Sequence, residues 1–163
     1  MTMKFRKTNP KFSYLVGLIV LCLGVAGTAT VVTLPSVRDW YHTLVQPSFA
    51  PPDAVFGPVW TALYVMMAVA AWRAWGRDAY AWDSTCLRLF LFQLALNFAW
   101  SFILFEFHQI GMAAIEIVAL EIAIVVAAVA FLMRDRVAGI LMLPYIAWVG
   151  FASALNIAFY RLN

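Results

Sequence analysis

Charged residues are scarce in this sequence. Asp, Glu, Lys and Arg make up 12% of its 163 residues, whereas 65% are hydrophobic and the mean hydropathy is +0.88. Because soluble domains carry about 25% charged residues, this composition excludes an ordinary soluble domain. It also excludes a disordered chain, since such chains are rich in charge and poor in aromatic residues.

Cysteine and histidine are also rare. Cys22 and Cys86 lie in or beside apolar runs, which is typical of inert buried thiols and gives no disulfide framework or metal cluster. His42 and His108 both lie near outer-side loops; either could ligate a haem iron, but an exposed interfacial histidine is the simpler interpretation. P-loop, dinucleotide, zinc and Ser–His–Asp patterns are absent. We therefore predict no metal site, no catalytic residue and no required cofactor.

The sequence contains five long, unbroken apolar runs. Each has the roughly 20 residues that a transmembrane helix needs, and none alternates as a β-barrel strand would. We predict an all-α membrane protein with one domain over residues 1–163, a five-transmembrane-helix bundle with a long outer loop between helices 1 and 2. The predicted spans are Phe12–Thr33, Pro58–Trp75, Thr85–Phe105, Ile110–Met133 and Ala138–Tyr160.

Basic residues predict the orientation of the bundle. Arg38 and Arg161 fall on one side, and nine basic residues fall on the other. Those nine are Lys4, Arg6, Lys7, Lys11, Arg73, Arg77, Arg88, Arg134 and Arg136. The positive-inside rule then places the N-terminus in the cytoplasm and the C-terminus outside a membrane that we expect to be bacterial. The first span is too long for a typical signal peptide, so we interpret it as a retained anchor.

The same basic residues follow one membrane interface, so they do not form a nucleic-acid patch. We predict that Trp72, Trp75 and Trp82 anchor the protein at this interface, where aromatic belts lie. Within the spans, Glu116 and Glu121 lie in apolar surroundings without a basic partner, and we predict neutral, hydrogen-bonded structural roles for both.

The predicted connection Leu34–Gly57 combines proline with aromatic residues, reading WYHTLVQPSFAPPDAVFGPVW from Trp40 to Trp60. Proline fixes its own φ and restricts the residue before it, so this loop should be ordered. Its aromatic residues need a surface to pack on, and the outer mouth of the bundle is the nearest one. The alternative is a loop that only anchors at the membrane interface.

Polar and bulky aromatic residues collect in the outer halves of spans two, three and five. Their spacing places them on one face of each helix. The stripes are Trp60, Tyr64 and Met67; Gln93, Asn97 and Trp100; and Tyr145, Trp148, Ala152, Asn156 and Phe159. Intramembrane amides face protein or a cavity, and helix–helix contact is one use of them. Large aromatic residues prevent that close approach, so we predict a ligand pocket.

A set of motifs extends along nearly the whole chain: Trp40-Tyr41, Leu44, Pro47, Pro51-Pro52, Phe56 to Thr61, Leu63-Tyr64, Gln93 to Ser101, Pro144-Tyr145, Trp148, Phe151-Ala152 and Leu155-Asn156. In this order, the motifs resemble the TspO/MBR family. This family contains the bacterial tryptophan-rich sensory proteins and the mitochondrial translocator protein. The resemblance implies a five-helix bundle, often dimeric, that binds porphyrins, sterols and benzodiazepine-type ligands.

Carried onto this sequence, the family pocket would include Trp40, Phe49, Trp60, Asn97, Trp148 and Ala152. Together with the stripes, the predicted ligand-binding set is Trp40, Phe49, Trp60, Tyr64, Asn97, Trp100, Tyr145, Trp148, Ala152 and Asn156. Three features depart from the family. Phe49 replaces a frequent tryptophan, Glu121 replaces a frequent aromatic residue, and the cholesterol-recognition pattern is broken at Ile157 and Tyr160-Arg161. We do not expect sterol binding.

The leading functional hypothesis is a membrane receptor or sensor for porphyrins. Its partners would be the lipid bilayer, a flat aromatic ligand and a second copy of the chain, with no nucleic acid. One alternative is a light-dependent porphyrin-degrading enzyme in which Trp60 and Trp148 act as oxidisable residues. Another is a transporter of porphyrins or other small molecules.

Overall fold

The structure is a computed structural model that describes residues 11–163, so Lys4, Arg6 and Lys7 lie outside the described residues. Its helices are α1 (Phe12–Asp39), α2 (Phe56–Arg77), α3 (Thr85–Ser101), α4 (Ile110–Arg134), α5 (Arg136–Leu141) and α6 (Leu143–Leu162). They provide five helical segments long and apolar enough to cross a membrane, the fifth formed by α5 and α6 together. The predicted all-α, five-span fold is confirmed.

The connection between α1 and α2 is shorter than we predicted. Helix α1 continues through Pro35 to Asp39, so the connection covers residues 40–55 rather than 34–57. Two single-turn 3-10 helices, Tyr41–Thr43 and Asp53–Val55, lie within it. The last turn of α1 is held because the Ser36 hydroxyl donates a hydrogen bond to the carbonyl of Phe105.

Helix α3 ends in a π-helical turn, Phe102–Glu106, instead of stopping cleanly. The Phe107 amide donates to the Phe102 carbonyl at 3.0 Å, which is the wider bond of a π turn. This turn packs against α1 and widens the end of α3. A π turn inside an α-helix is frequently found at a functional site.

The helices pack so that α4 lies against α3 and α6, while α1 lies against α2. Helix α1 is the least enclosed span, and its buried residues Leu18, Cys22 and Ala29 form one narrow stripe. Cys22 and Cys86 are both buried free thiols. The bundle has two distinct ends. We call the end with residues 40–55 the loop end, and the end with Asp135 the arginine end.

Asp135 joins three helices at the arginine end. Arg73 donates to both of its carboxylate oxygens at 3.0 Å, and Arg77 donates to Oδ2 at 2.7 and 3.2 Å. The Ala138 amide donates to Oδ1 at 3.0 Å, so Asp135 also caps α5. Burial alone would raise the pKa of Asp135, but the hydrogen bonds from Arg77 and Arg73 outweigh it and lower this pKa to about 2.

The tryptophans at the arginine end are not equivalent, although all three were predicted to be interface anchors. Trp82 is 76% exposed, whereas Trp75 is only 3% exposed. The Trp75 indole donates to the Ala81 carbonyl at 3.0 Å and packs edge-on against Tyr14 and Tyr80. Trp75 is therefore a core residue that fixes the turn between α2 and α3.

Candidate functional site: an aromatic cavity

A cavity of about 550 Å³ lies at the loop end of the bundle. Helices α1, α2, α3 and α6 form its walls, and residues of the 40–55 connection form its cover. Its volume lies within the range of small-molecule sites, about 300–1,000 Å³. Its position agrees with the part of the bundle where polar and aromatic residues were expected to converge.

Six residues of the predicted set line this cavity. They are Trp60, Tyr64, Asn97, Trp100, Ala152 and Asn156. They come from α2, α3 and α6, and their sequence spacing places them on the inner faces of those helices. The helical periodicity therefore identified side chains that the fold brings together, while their binding of a ligand stays a prediction.

Four other members of the set do not line the cavity. Trp40 stacks on His108, with ring centroids 4.1 Å apart. Phe49 is 49% exposed and faces Phe151. Trp148 packs against Phe56 and Phe151, outside the cavity wall.

Tyr145, the fourth, lies behind the wall. It is fully buried, and its ring meets Trp60 edge-on at 6.3 Å. Its hydroxyl accepts a hydrogen bond from Asn97 at 3.1 Å. Tyr145 therefore supports two cavity residues without forming part of the surface itself.

The cavity wall carries a small number of hydrogen-bonded polar groups. The Tyr64 hydroxyl donates to Asn97 Oδ1 at 2.5 Å. On the opposite side, the Trp100 indole donates to Asn156 Oδ1 at 3.1 Å, and Asn156 Nδ2 donates to the Ile110 carbonyl at 3.2 Å. These bonds fix the amides in one orientation. An apolar site with a few oriented polar groups is typical of small-molecule recognition.

Ionic groups are sparse around the cavity. Among the lining residues, all within the described part of the chain, Asp53 carries the one formal charge and there is no lysine, arginine or histidine. Asp53 pairs with His42 at 3.0 Å, at the outer rim. The interior therefore suits an uncharged ring system, and charged substituents of a ligand would remain at the rim.

The cover is fastened at several points. The His42–Asp53 pair joins its two 3-10 turns. The Asn163 side chain accepts from the Val45 amide at 2.8 Å and donates to the Val45 carbonyl at 3.3 Å. Gln46 donates back to the Tyr41 carbonyl at 3.2 Å. These contacts hold Tyr41, Leu44 and Asp53 over the cavity, where all three line it.

Sequence reasoning did not identify the wall that α1 contributes. The residues concerned include Ala26, Ala29, Thr30 and Thr33. The available signal was the run of small residues in the second half of α1. Thr30 satisfies its hydroxyl by donating to the Ala26 carbonyl at 2.8 Å, so a threonine stripe can border an apolar space.

The two intramembrane glutamates lie on α4, away from the cavity lining. We predicted hydrogen-bonded roles for both. Within residues 11–163, however, both carboxylate oxygens of Glu116 lack a hydrogen-bond partner, and so does Oε2 of Glu121. Helix α6 presents Gly150 to Glu121, because a Cβ at Gly150 would lie 3.7 Å from Oε1. The hydrogen-bonding part of the prediction is wrong for Glu116, because no donor among residues 11–163 reaches its carboxylate.

Comparison with known proteins gives the family. The TspO/MBR family model matches residues 16–161. The chain is 39% identical to the tryptophan-rich protein TspO of Archaeoglobus fulgidus, over 90% of this chain and 93% of the relative. It is 35% identical to the human translocator protein, over 76% of this chain and 75% of the relative. It is 31% identical to the tryptophan-rich sensory protein of Cereibacter sphaeroides, over 83% and 84% respectively. The chain therefore belongs to the TspO/MBR family.

Proposed function

We propose that this protein is a membrane receptor that binds porphyrins and benzodiazepine-type ligands in the cavity at the loop end. The observation that carries the proposal is the position of Trp60. Its indole lies on the cavity wall, 5.8 Å from the ring of Tyr64 and 6.3 Å from that of Tyr145. Trp60 and Tyr64 provide a stacking surface for a flat ligand, and the buried Tyr145 ring supports Trp60 from behind.

The polar groups support a porphyrin in a particular placement. The interior has no basic side chain, whereas His42 lies at the rim beside Asp53. The ring system would therefore lie against Trp60 and Asn97, and acidic substituents would point toward the rim and solvent. Burying a carboxylate in the apolar interior would be costly, because no cation there would compensate it.

A binding role is favoured over passage through the bundle. Beyond Asn97, the fully buried Tyr145 and Gln93 fill the space toward the middle of the bundle. Farther along, Asp135 and its two arginines tie the helices together at the arginine end. The nine-to-two distribution of basic residues would place the arginine end in the cytoplasm, so that the cavity lies in the outer half.

Titration with protoporphyrin, followed by the porphyrin's own absorbance, tests the proposal. Aromatic stacking contributes about 1–3 kcal/mol, so Trp60→Ala should weaken binding by roughly 5–150-fold. Trp148→Ala should have a smaller effect because Trp148 is outside the wall. Trp82→Ala is the matched control, since Trp82 is exposed at the other end.

If Trp60→Ala and Trp82→Ala weaken protoporphyrin binding equally, the assignment of the site is contradicted. The same titration under illumination separates binding from degradation. A receptor returns unchanged porphyrin, whereas the porphyrin-degrading enzyme of our alternative hypothesis would yield a new absorbing product. A reporter fused to the C-terminus tests orientation, because a reporter active only in the cytoplasm would contradict an outward C-terminus.

A further inference from the structure

A chain of buried hydrogen bonds begins at the cavity wall and ends deep in the bundle. Tyr64 donates to Asn97 Oδ1 at 2.5 Å, and Asn97 Nδ2 donates to the Tyr145 oxygen at 3.1 Å. Tyr145 in turn donates to Gln93 Oε1 at 3.0 Å, and Gln93 Nε2 donates to the Phe90 carbonyl at 3.0 Å. All four side chains in this chain are at most 3% exposed.

The last acceptor fixes the direction of the whole chain. A backbone carbonyl has no proton to give, so the Gln93 group facing Phe90 must be the NH2 group. The other neighbour of that group is the Met67 sulfur at 3.9 Å, which is also an acceptor. Gln93 therefore presents its oxygen to Tyr145. Each following side chain must then donate inward, and the sequence of donors ends with the hydroxyl proton of Tyr64.

This direction determines what Tyr64 can offer to the cavity. Its one hydroxyl proton is already given to Asn97, so the phenol oxygen keeps acceptor capacity alone. Tyr64 and Asn97 are the two members of the chain that line the cavity. A ligand placed against Tyr64 therefore gains a hydrogen bond if it brings an N–H or O–H, and gains none from a carbonyl or ether oxygen.

We propose that the Phe90–Gln93–Tyr145–Asn97–Tyr64 chain keeps the Tyr64 hydroxyl an acceptor toward the cavity, so that this position favours flat aromatic ligands with an N–H or O–H donor on the edge that meets Tyr64. Gln93 and Tyr145 act as positioning residues, because neither lines the cavity. This inference rests on the proposed function and adds the hydrogen-bonding sense of the ligand to it.

Two flat three-ring probes test the proposal by calorimetry: carbazole, with an N–H donor, and 9-fluorenone, with a carbonyl acceptor. The measured quantity is the association constant of carbazole divided by that of 9-fluorenone. Both constants are measured on one preparation, so their ratio is insensitive to the folded fraction. One hydrogen bond contributes about 1 kcal/mol, so the ratio should be about fivefold higher in the wild type than in Tyr64→Phe. Tyr14→Phe, at the opposite end of the bundle, should keep the wild-type ratio.

Changes at Gln93 distinguish positioning from simple packing. Gln93→Met removes the acceptor of Tyr145, whose hydroxyl then requires Asn97 Oδ1. The Asn97 amide turns over, its NH2 group donates to Tyr64, and the Tyr64 proton is released toward the cavity. The ratio should then fall to or below that of Tyr64→Phe. Gln93→Glu should restore it, because a carboxylic acid can donate to Phe90 and accept from Tyr145.

The outcomes separate the two proposals. If the probes and protoporphyrin bind, but the ratio is the same in the wild type, Tyr64→Phe and Gln93→Met, the selectivity proposal is overturned and the receptor proposal stands. If protoporphyrin and both probes fail to bind the folded wild type, the receptor proposal fails and the selectivity proposal fails with it.

Discussion

The Trp40 indole stacks on the His108 imidazole with an interplanar angle of 23°. Trp40 begins the cover of the cavity, and His108 lies in the turn between α3 and α4. The same turn also contacts the last turn of α1, since Ser36 Oγ lies 3.5 Å from His108 Nε2. His108 adopts a positive φ of 54°, which is uncommon for residues other than glycine but is found more often for histidine than for most. This stack joins the cover to the turn between α3 and α4.

We expect Trp40 and His108 to be energetically coupled. Stacked aromatic pairs contribute about 0.5–1.5 kcal/mol beyond their buried area. In a double-mutant cycle on the free energy of unfolding, Trp40→Ala and His108→Ala should therefore be non-additive by about that amount. Trp82→Ala combined with His108→Ala should be additive, because these residues lie at opposite ends. Additivity in the Trp40 cycle would show that the stack does not stabilise the cover.

Asp135 should make stability depend on acidic pH. Its pKa in the folded protein, about 2, lies below the ordinary value of 3.8. A carboxylate with a lowered pKa stabilises the fold above its unfolded pKa, and this contribution is lost as the pH falls from about 4 through 2. Asp135→Asn should cost about 2–3 kcal/mol at neutral pH, below the usual range for buried pairs because both arginines are one-third exposed.

Unfolding of the wild type and Asp135→Asn across pH 7 to 2 checks this expectation. The difference between the two proteins should shrink in the acidic range and be constant above it. Asp83→Asn is the matched control, because Asp83 is exposed in the neighbouring turn. A difference that stays constant down to pH 2 would mean that the ion pairs do not stabilise the fold.

The sequence was sufficient to predict the spans and much of the cavity wall. Long apolar runs specify membrane helices because the bilayer has a fixed thickness. Trp60, Asn97 and Ala152 follow helical spacing, so each falls on the face that its helix turns inward. Apolar length and helical spacing are local properties, so they can be recognised within the sequence of a single helix.

The differences between the expected and observed positions arise from contacts between distant segments. Trp148 belongs to the same predicted stripe as Ala152, but packing against Phe56 takes it off the wall. Trp40 leaves the cavity because it stacks on His108, 68 positions along the chain. Helix α1 passes Pro35 because a turn of α3 supports its end. None of these partners can be inferred from spacing within one helix.

Gly139 permits the close approach of α5 to the end of α4. A Cβ at this position would lie 2.6 Å from the Leu132 Cβ and 2.7 Å from its Cα. Because one clashing atom belongs to the backbone, Gly139→Ala should destabilise the protein by about 1–3 kcal/mol. Gly27→Ala should stabilise the protein by about 1 kcal/mol, because Gly27 lies inside α1 with open space around it. Thermal unfolding of both variants in the same detergent gives the change in Tm of each. Equal changes in Tm would contradict the close approach of α5 to α4.

Glu116 should weaken the fold, since both of its carboxylate oxygens are buried without a partner in the described part of the chain. An unsatisfied buried polar group costs about 1–3 kcal/mol, and leucine fills a similar volume without that cost. Glu116→Leu should therefore raise the free energy of unfolding by an amount in this range. Glu106→Leu, at an exposed site in the π-helical turn that ends α3, should change it by less than about 0.5 kcal/mol. Urea unfolding of both variants in the same micelles measures the difference. Destabilisation by Glu116→Leu would mean that the carboxylate has a stabilising partner in the membrane, such as a lipid headgroup or a second copy of the chain.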